Sequence, residues 1–515
     1  MHTRQRKLIF IVGLATIMAL LVYTIFRIAI TAQSVIISGD IFTTVTIIMF
    51  LLAELFILFH STGYFTNILL SLTHYEREAI SYNQLTGSPM VDVLIPVHDE
   101  PIEIVFKTIV AAQHIDYDHF RIIIIDGSEE KKSAQEVRAL CLARGVDYYE
   151  VPSPRHGAKA GAINQCLKHI RSPYIAIFDA DYRPSRDFLK LIVPQLESDQ
   201  KLAFVQTPQF YGNLETVPVS RAAQMQQSIF YEYICEGKSI RSATFMCGTN
   251  LVIRTEALRS VGGFVESSIT EDFATSLQLI LKGWKSKYYN QTTAFGDGPR
   301  NIREFFRQQY RWSRGTLGIF FTQLPVLLFS KNLSLGQRIE FILSGSYYLI
   351  GVVWLILLIM PVIYIILGIP AYMSDPIFYL VSYIPYFILS LTLFFQTLFS
   401  RHYHASDWFK TESLALLTAP VYARAAFHAM IGKKASFEKT QKDASVTEIP
   451  WDELYFQIFL IILSIIAIII GLAKFSLAPG WQSISLVVNI FWVFFHLIFL
   501  TYFLLYVLKN NPSQR

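Results

Sequence analysis

Few of the residues in this sequence are charged. Only 16% of the 515 residues carry a charge and 53% are hydrophobic, with a mean hydropathy of +0.39. These values exclude an entirely soluble protein of this length, which would be less apolar, and a pure bundle of membrane helices, which would carry fewer charges. Because the charges are unevenly distributed, the sequence predicts a soluble domain set between membrane-spanning segments.

Cysteine is also scarce, and the four cysteines lack the short spacings of a metal site. In a cytoplasmic domain we expect Cys141, Cys166, Cys235 and Cys247 to be free thiols. The sequence lacks internal repeats, low-complexity linkers and a Walker-type phosphate-binding loop. The missing loop counts against a transporter with an accessory nucleotide-binding domain, which is the alternative from another functional class.

Six apolar runs reach the length of about 20 residues that a helix needs to cross a bilayer. They cover residues 8–26, 41–65, 341–374, 376–400, 454–473 and 475–508. We therefore predict two N-terminal transmembrane helices in 1–75, a soluble domain at 88–328, interfacial helices with transmembrane helices three and four in 333–432, a loop at 433–452, and transmembrane helices five and six in 453–515.

The basic residues favour a cytoplasmic N-terminus, soluble domain and C-terminus in a plasma (inner) membrane protein. Seven Lys or Arg residues lie in 401–451, whereas the short loops near Ser38 and Ser374 have none. Arg27 and Lys474, expected at the outer ends of spans, are exceptions. We attribute the net charge of +5 to this bias, and predict no nucleic-acid partner.

The soluble part alternates between apolar strands and helices. Strands are predicted at 91–97, 121–128, 174–182 and 202–209, with a helix at 102–113. This order predicts an α/β fold with a mostly parallel sheet and helices on both faces. Ligands of such sheets bind at the carboxyl ends of the strands, where Asp126, Asp179 and Asp181 fall.

Each polar motif in this domain allows a functional and a purely structural interpretation. Asp126 could bind a base or ribose, or could simply open a turn. Asp179 and Asp181, on one side of an extended segment, suit a divalent cation that bridges to a diphosphate, or form a solvated turn. Lys159 could receive part of a nucleotide at a helix start, or belong to an ordinary helix.

Two further motifs precede or form helices. Asp272, after Thr270 and Glu271, could be a general base, but Thr could equally cap the helix, whose N-terminus favours acids. In FRQQYRWSRG, spacings of three and four place Gln308, Arg311 and Trp312 near one helical face. These side chains suit a diphosphate and a sugar ring, or an interfacial helix with snorkelling arginines.

The order of these motifs resembles that of the processive family 2 glycosyltransferases. Over residues 88–508 the sequence is similar to the catalytic subunit of bacterial cellulose synthase, in the stretches KAGAIN (159–164), FVQTPQ (204–209) and FMCGTN (245–250). The resemblance implies a GT-A-like domain and a membrane-embedded, inverting, processive β-glycosyltransferase. It favours UDP-glucose as donor and a β-1,4 or related β-glucan as the translocated product.

The resemblance also implies roles for individual residues. Nucleotide binding falls to Asp126, Lys159, Asp179, Asp181, Gln308, Arg311, Thr440 and Lys442; metal binding (Mg²⁺ or Mn²⁺) to Asp179 and Asp181; base catalysis to Asp272 with Glu271; acceptor binding to Trp312 and Cys247. The implied partners are a UDP-sugar, the growing polysaccharide, the lipid bilayer and an accessory export subunit.

Some features depart from the family pattern. FEKTQK (437–442) is similar to its gating loop, Phe-x-Val-Thr-x-Lys, but has Lys439 in place of Val. The sequence has fewer N-terminal spans than the cellulose enzyme and leaves no room after Leu508 for a cyclic-di-GMP-binding domain. Arg303 and Arg307 mimic that domain's signature, but within the catalytic domain. The alternatives are a single transfer to a membrane lipid and an N-acetylglucosamine-containing polymer.

Overall fold

A computed structural model describes residues 3–74, 87–153, 157–214, 217–373, 376–400, 403–433, 450–476 and 481–509. Its helices are α1 (Thr3–Ile37), α2 (Ile41–His74), α3 (Ile102–Gln113), α4 (Lys131–Arg144), α5 (Ala158–Leu167), α6 (Phe188–Glu197), α7 (Pro218–Ile229), α8 (Cys235–Ile240), α9 (Thr255–Ser260), α10 (Glu271–Leu281), α11 (Ile302–Phe329), α12 (Leu335–Ser346), α13 (Ile350–Leu367), α14 (Pro376–Ser400), α15 (Ala405–Met430), α16 (Tyr455–Phe475) and α17 (Trp481–Lys509). A π-helix, Phe230–Ile234, links α7 to α8.

The strands form one large and one small sheet. They are β1 (Val91–Val97), β2 (Phe120–Asp126), β3 (Asp147–Glu150), β4 (Tyr174–Ile177), β5 (Arg183–Pro184), β6 (Leu202–Gln206), β7 (Phe210–Tyr211), β8 (Leu251–Arg254), β9 (Lys285–Tyr288) and β10 (Ala294–Gly296). The large sheet has the order β3-β2-β1-β4-β8-β6-β9. Only β8 opposes its neighbours β4 and β6, so the prediction of a mostly parallel sheet is confirmed.

Helices cover both faces of this sheet, as predicted. The isoleucine run in β2 shows why: Ile122 and Ile124 pack on one side with α3, α4 and α6, while Ile123 and Ile125 pack on the other with α5 and α9. Successive side chains of a strand point to opposite faces, so a continuous apolar run is buried on both faces of the sheet.

The strand predicted at 174–182 is shorter than expected. β4 ends at Ile177, and the Tyr182 N–H donates to the Asp179 carbonyl oxygen at 2.9 Å, which closes a turn. The prediction that Asp179 and Asp181 lie on one side of an extended segment is therefore wrong. Both carboxylates still follow the carboxyl end of a central strand.

Among the described residues, six helical segments are long and apolar enough to cross a membrane, which confirms the predicted number. They are Lys7–Ile37, Ile41–Thr73, Leu335–Leu367, Ile377–Ser400, Tyr455–Phe475 and Ser483–Val507. The expectation that Arg27 ends a span is wrong, because α1 continues to Ile37. Arg27 is fully buried and forms an ion pair with Glu54 of α2, as a charge inside an apolar bundle requires.

A buried polar network joins the soluble domain to the membrane helices. Glu340 of α12 is fully buried and accepts hydrogen bonds from Lys238 Nζ of α8 at 2.8 Å and Asn67 Nδ2 of α2 at 3.1 Å. Arg241 forms a second ion pair with the same carboxylate. The soluble domain is therefore held on α2 and α12 by the buried charges of Glu340 and Lys238, with Arg241 at the edge of the network.

We expect Glu340→Ala to lower the unfolding temperature of the detergent-solubilised protein strongly. Removing one partner of a buried ion pair leaves the other charge unpaired, which costs about 3–5 kcal/mol. The matched control is Asp199→Ala, since Asp199 pairs with Lys285 at the surface, where such pairs contribute about 0.2–1 kcal/mol. Equal effects of the two substitutions would contradict a buried anchor at Glu340.

Candidate active site

Lys159 and Asp179 meet at the carboxyl edge of the large sheet. α5 begins directly after Gly157, whose φ of 73° places it in the left-handed region. The Lys159 ammonium donates to the Asp179 carboxylate and, at 2.7 Å, to the Gly248 carbonyl oxygen. The Asp179 N–H donates to Thr249 Oγ1 at 2.9 Å. These contacts fix the cation between a strand end and the FMCGTN stretch.

The FVQTPQ and FMCGTN stretches are bound directly to each other. The fully buried Gln206 accepts from the Cys247 N–H at 2.8 Å through Oε1 and donates to the Thr249 carbonyl at 2.8 Å through Nε2. Gln209 donates to the Cys247 carbonyl oxygen. The amide of Gln206 thus sets the position of the backbone around Gly248.

Asp272, at the start of α10, also lies beside Gly248. A Cβ added to Gly248, whose φ is 86°, would lie 3.3 Å from Asp272 Oδ2 and 3.8 Å from Lys159 Nζ. Glycine at this position therefore permits the lysine, the carboxylate and the chain to approach one another. The structure brings Lys159, Asp179 and Asp272 together, as the family resemblance implies.

The electrostatics of this cluster favour a protonated Asp272 up to neutral pH. Burial, followed by the negative charge of Glu271, raises the pKa of Asp272 to about 7, although the positive charges of Lys159 and Arg311 oppose this rise. Burial likewise raises the pKa of Glu271. Both side chains remain half-buried, so water still reaches part of each. A carboxylate with a pKa near 7 is suited to accept a proton at neutral pH.

Helix α11 carries FRQQYRWSRG, and its glycine explains how it reaches the site. A Cβ on Gly315 would lie 2.6 Å from Thr270 Oγ1, so α11 packs directly against the start of α10. Arg311, one helical turn earlier, is near enough to lower the pKa of Asp272 and of Glu271. The Thr270 side chain makes no capping hydrogen bond, so the predicted cap is wrong; the hydroxyl packs against α11 instead.

Gln308 and Trp312 lie on the same helix as Arg311, and both are half-buried. Gln308 Oε1 is a buried atom that lacks a hydrogen-bond partner among the described residues. Gln308 also affects the pKa of Tyr211, which is raised by burial and by Asp181. Arg311 thus lies near Asp272, and Gln308 lies near Tyr211, whose pKa Asp181 also affects.

Asp126 ends β2, two strands away from β4. Its carboxylate accepts from the Ser128 N–H at 2.8 Å and from the Tyr148 hydroxyl at 2.8 Å, and the residue is 1% exposed. The structure therefore gives Asp126 the turn-stabilising role that its sequence position also suggested. Nucleotide binding by Asp126 stays a prediction, as does binding by Thr440 and Lys442, which lie outside the described residues.

The carboxylates of Asp179 and Asp181 fit a Mg²⁺ or Mn²⁺ ion that is shared with a diphosphate. Within the described ranges, no group of three or more His, Cys, Asp or Glu residues could enclose an ion. Mg²⁺ is usually held by one or two carboxylates together with substrate phosphates, so the donor set of this chain is sufficient.

The sequence does not single out several of the residues that build the site. Gly248, Thr249 and Gln206 lie in stretches that were matched to the family, and their fixed spacing was the available signal. Tyr148 gave no signal, because its contact with Asp126 depends on the pairing of β2 with β3. Cys247, half-buried beside Gly248, is close enough to Asp272 for that charge to raise its thiol pKa, after burial. All four cysteines are free, as predicted.

The chain is similar to known glycosyltransferases. Residues 174–399 match the family model described as "Glycosyl transferase family group 2". The cellulose synthase catalytic subunit of Pseudomonas fluorescens is 30% identical over 424 residues, which cover 80% of this chain and 55% of that protein. The corresponding subunit of Xanthomonas axonopodis is 33% identical over 274 residues, 51% of this chain and 36% of the relative. The chain thus spans about half or less of these relatives.

The fold is also found among solved structures. A mannosyltransferase from Pyrobaculum calidifontis, determined in complex with GDP-Man and Mn²⁺, superposes with a TM-score of 0.52 and is 15% identical. The superposition covers 74% of this chain and 99% of the mannosyltransferase. At this identity the comparison establishes the GT-A-like fold, which the resemblance implied.

The raised pKa of Asp272 predicts a pH-dependent effect of Asp272→Asn on stability. A carboxyl whose pKa is higher in the folded state than its unfolded value of about 3.9 stabilises the fold most at low pH, and that contribution is lost as pH rises through about 7. Asparagine cannot ionise, so the unfolding temperature of the variant minus that of the wild type should increase from pH 5 to pH 8.

Asp199→Asn is the control for this measurement. Its hydrogen bond with Lys285 lowers the pKa of Asp199, so this carboxylate is ionised in both states from pH 5 to pH 8. The corresponding difference should be flat over that range. A flat difference for Asp272→Asn as well would show that its carboxyl is not perturbed.

Proposed function

Because the chain carries a family 2 glycosyltransferase domain of the cellulose synthase-like kind, we propose that it polymerises sugar from a UDP-sugar, most simply glucose from UDP-glucose into a β-1,4 or related β-glucan. The observation that supports this best is the cluster of Lys159, Asp179 and Asp272 around Gly248. A cation for a diphosphate and a base for a hydroxyl then lie 3.8 Å and 3.3 Å from one point, the position that a Cβ on Gly248 would take.

Asp272 is the proposed base. It removes the proton from the acceptor hydroxyl, whose oxygen forms the new bond to the anomeric carbon of the donor. The bond from that carbon to the diphosphate oxygen breaks, its electron pair leaves with UDP, and attack from the opposite side inverts the configuration. Glu271 tunes this base through its charge, which helps to raise the pKa of Asp272.

Lys159, Gln308 and Arg311 are the proposed ligands of the diphosphate. Lys159 would exchange its contact with Asp179 for a phosphate oxygen, which leaves Asp179 and Asp181 to hold Mg²⁺ or Mn²⁺. The ion, when bound, neutralises part of the charge on the leaving UDP. Arg311 adds a cation that cannot be deprotonated.

The acceptor side is assigned to Trp312 and Cys247, with the Trp312 ring stacking on the terminal sugar. We further propose that the six apolar helices translocate the polymer, that the catalytic domain faces the cytoplasm of a plasma-membrane protein, and that an accessory export subunit receives the product. Asp126 would contact the nucleoside, and Thr440 and Lys442 would close over the nucleotide.

Product analysis tests this proposal. The purified protein in liposomes is incubated with labelled UDP-glucose or UDP-N-acetylglucosamine, and the products are digested with linkage-specific hydrolases. A polymer released as glucose by a β-1,4-glucanase is expected. A polymer labelled only from UDP-N-acetylglucosamine would refute glucose as the sugar. A glycolipid extracted into organic solvent, or no transfer at all, as expected for a transporter, would refute polymerisation itself.

We expect Asp272→Asn to abolish transfer while UDP binding persists, because the change removes a base and no phosphate contact. Loss of a general base typically lowers turnover by about 10²-fold or more. Turnover is measured with labelled donor, and UDP binding by calorimetry. Asp199→Asn serves as the control with normal turnover, and near-normal turnover of folded Asp272→Asn would remove Asp272 from this role.

Metal removal should stop synthesis. Excess EDTA would compete with Asp179 and Asp181 for the ion, and added Mg²⁺ or Mn²⁺ should restore the rate. A parallel sample treated with EDTA already saturated with Mg²⁺ should show no loss. Undiminished synthesis in excess free EDTA would rule out the metal role of the two carboxylates.

A further inference from the structure

Asn164, five residues after Lys159 in α5, connects the two halves of the site. Its Nδ2 donates to the Phe264 carbonyl oxygen at 2.8 Å and to Glu266 Oε1 at 2.8 Å. Its Oδ1 accepts from the Phe264 N–H at 2.7 Å. One side-chain amide therefore uses both its donor and its acceptor on a segment (263–266) that lies 100 residues further along the chain.

Two glycines allow this segment to lie so close to α5. A Cβ on Gly263, whose φ is 97°, would lie 2.4 Å from Asn164 Oδ1. A Cβ on Gly157, whose φ is 73°, would lie 2.8 Å from Glu266 Cβ. A side chain at either glycine would push the segment away from the helix that carries Lys159, so the close approach is built into the backbone.

The other end of the segment is tied to the helix of the proposed base. The Val265 N–H donates to Thr275 Oγ1 at 3.0 Å, and the same hydroxyl donates to the Glu271 carbonyl oxygen at 2.6 Å. Thr275 is fully buried. A continuous set of hydrogen bonds thus runs from α5 through Asn164 and residues 264–265 to the first turn of α10.

We propose that Asn164 is a positioning residue that holds Lys159 and Asp272 at a fixed separation across the site. Among the described residues, only the Asn164 side chain both accepts from the Phe264 N–H and donates to the Phe264 carbonyl oxygen. The inference rests on the proposed roles of Lys159 and Asp272 and adds how their spacing is set.

The charges around Asp272 give this spacing a measurable consequence. The groups that face Asp272 are Glu271 on α10, Lys159 on α5, Arg311 on α11, Cys247 beside Gly248, and Tyr348 before α13. Lys159 is held on α5, so among these charges its position depends directly on Asn164. If α5 moves away, the carboxylate loses a favourable charge, and its pKa rises.

The test compares Asn164→Ala with wild type in the pH profile of kcat/KM for the UDP-sugar. Wild-type activity should rise with pH through the pKa of Asp272, near 7, because the base must be deprotonated. In Asn164→Ala this rising limb of the pH profile should move to higher pH. The rate on the plateau should also fall, by up to about 10²-fold if Lys159 is misplaced by 1 Å.

Asn213→Ala is the matched control. Asn213 also binds one backbone residue in both directions, since its Nδ2 donates to the Gly298 carbonyl at 3.1 Å and its Oδ1 accepts from the Gly298 N–H at 2.9 Å. Its removal costs comparable hydrogen bonds elsewhere, so stability should fall while the pH limb stays in place. A limb that shifts equally in both variants would overturn the proposal.

A pair of substitutions at Asn164 and Glu266 separates an effect on the position of Lys159 from an effect on folding. Asn164→Asp replaces the Nδ2 donor by a carboxylate oxygen that faces both Glu266 and the Phe264 carbonyl oxygen, so it should be at least as impaired as Asn164→Ala. Adding Glu266→Gln supplies a donor amide to that carboxylate but none to the Phe264 carbonyl oxygen, so the limb should return only part of the way to the wild-type pH. If Asn164→Ala fails to fold, Glu266→Ala, which leaves both Phe264 bonds, should show a smaller shift in the same direction.

The outcomes also distinguish this inference from the proposed function. If Asp272→Asn is active, the base assignment fails regardless of Asn164. If Asp272→Asn is inactive but the limb is unchanged in Asn164→Ala, or in Glu266→Ala where Asn164→Ala does not fold, the positioning role alone is wrong.

Discussion

The ammonium group of Lys159 is the charge on which the rest of the site depends. It lies among the carboxylates of Asp179, Glu271 and Asp272, and each of these raises the pKa of Lys159 against the effect of burial. Without this cation three acids would repel one another in a poorly solvated cleft, a situation that proteins avoid by pairing their buried charges. The close contacts at Gly248, the amide of Gln206 and the turn at Asp179 all serve to place groups around it.

Helix α11 adds a second cation to the same group of acids. α11 reaches Asp272 because Gly315 lets it touch Thr270, and it brings Arg311 with it. The same helix packs against α12 and α15, which border the apolar helices. Arg311 of the FRQQYRWSRG stretch therefore lies near the acids at the start of α10.

Periodicity and turn chemistry predicted most of the fold from the sequence. The βα order, the six apolar helices and the helix start at Lys159 follow from local patterns, so they could be read without tertiary information. The turn at Asp179 and the missing cap at Thr270 could not, because each is set by a contact with a distant residue. Arg27 was misplaced for a similar reason: its partner Glu54 lies on the next helix, and only the pairing allows α1 to continue past it.

The sequence predicts which residues belong to the site, but not which of them are in contact. Local spacing left a structural explanation open for Asp126, Lys159 and Asp272, and the order of the motifs was needed to choose between explanations. Which groups meet, such as Lys159 with the Gly248 carbonyl, depends on a fold that joins positions 89 residues apart.

A structure of the protein in a lipid environment with UDP and Mg²⁺ tests the central claim most directly. The account predicts that the Lys159 ammonium leaves Asp179 for a diphosphate oxygen, while Asp179 and Asp181 contact the ion and Asp272 stays free of the nucleotide. A nucleotide bound with Lys159 still paired to Asp179, or one in direct contact with Asp272, would contradict it.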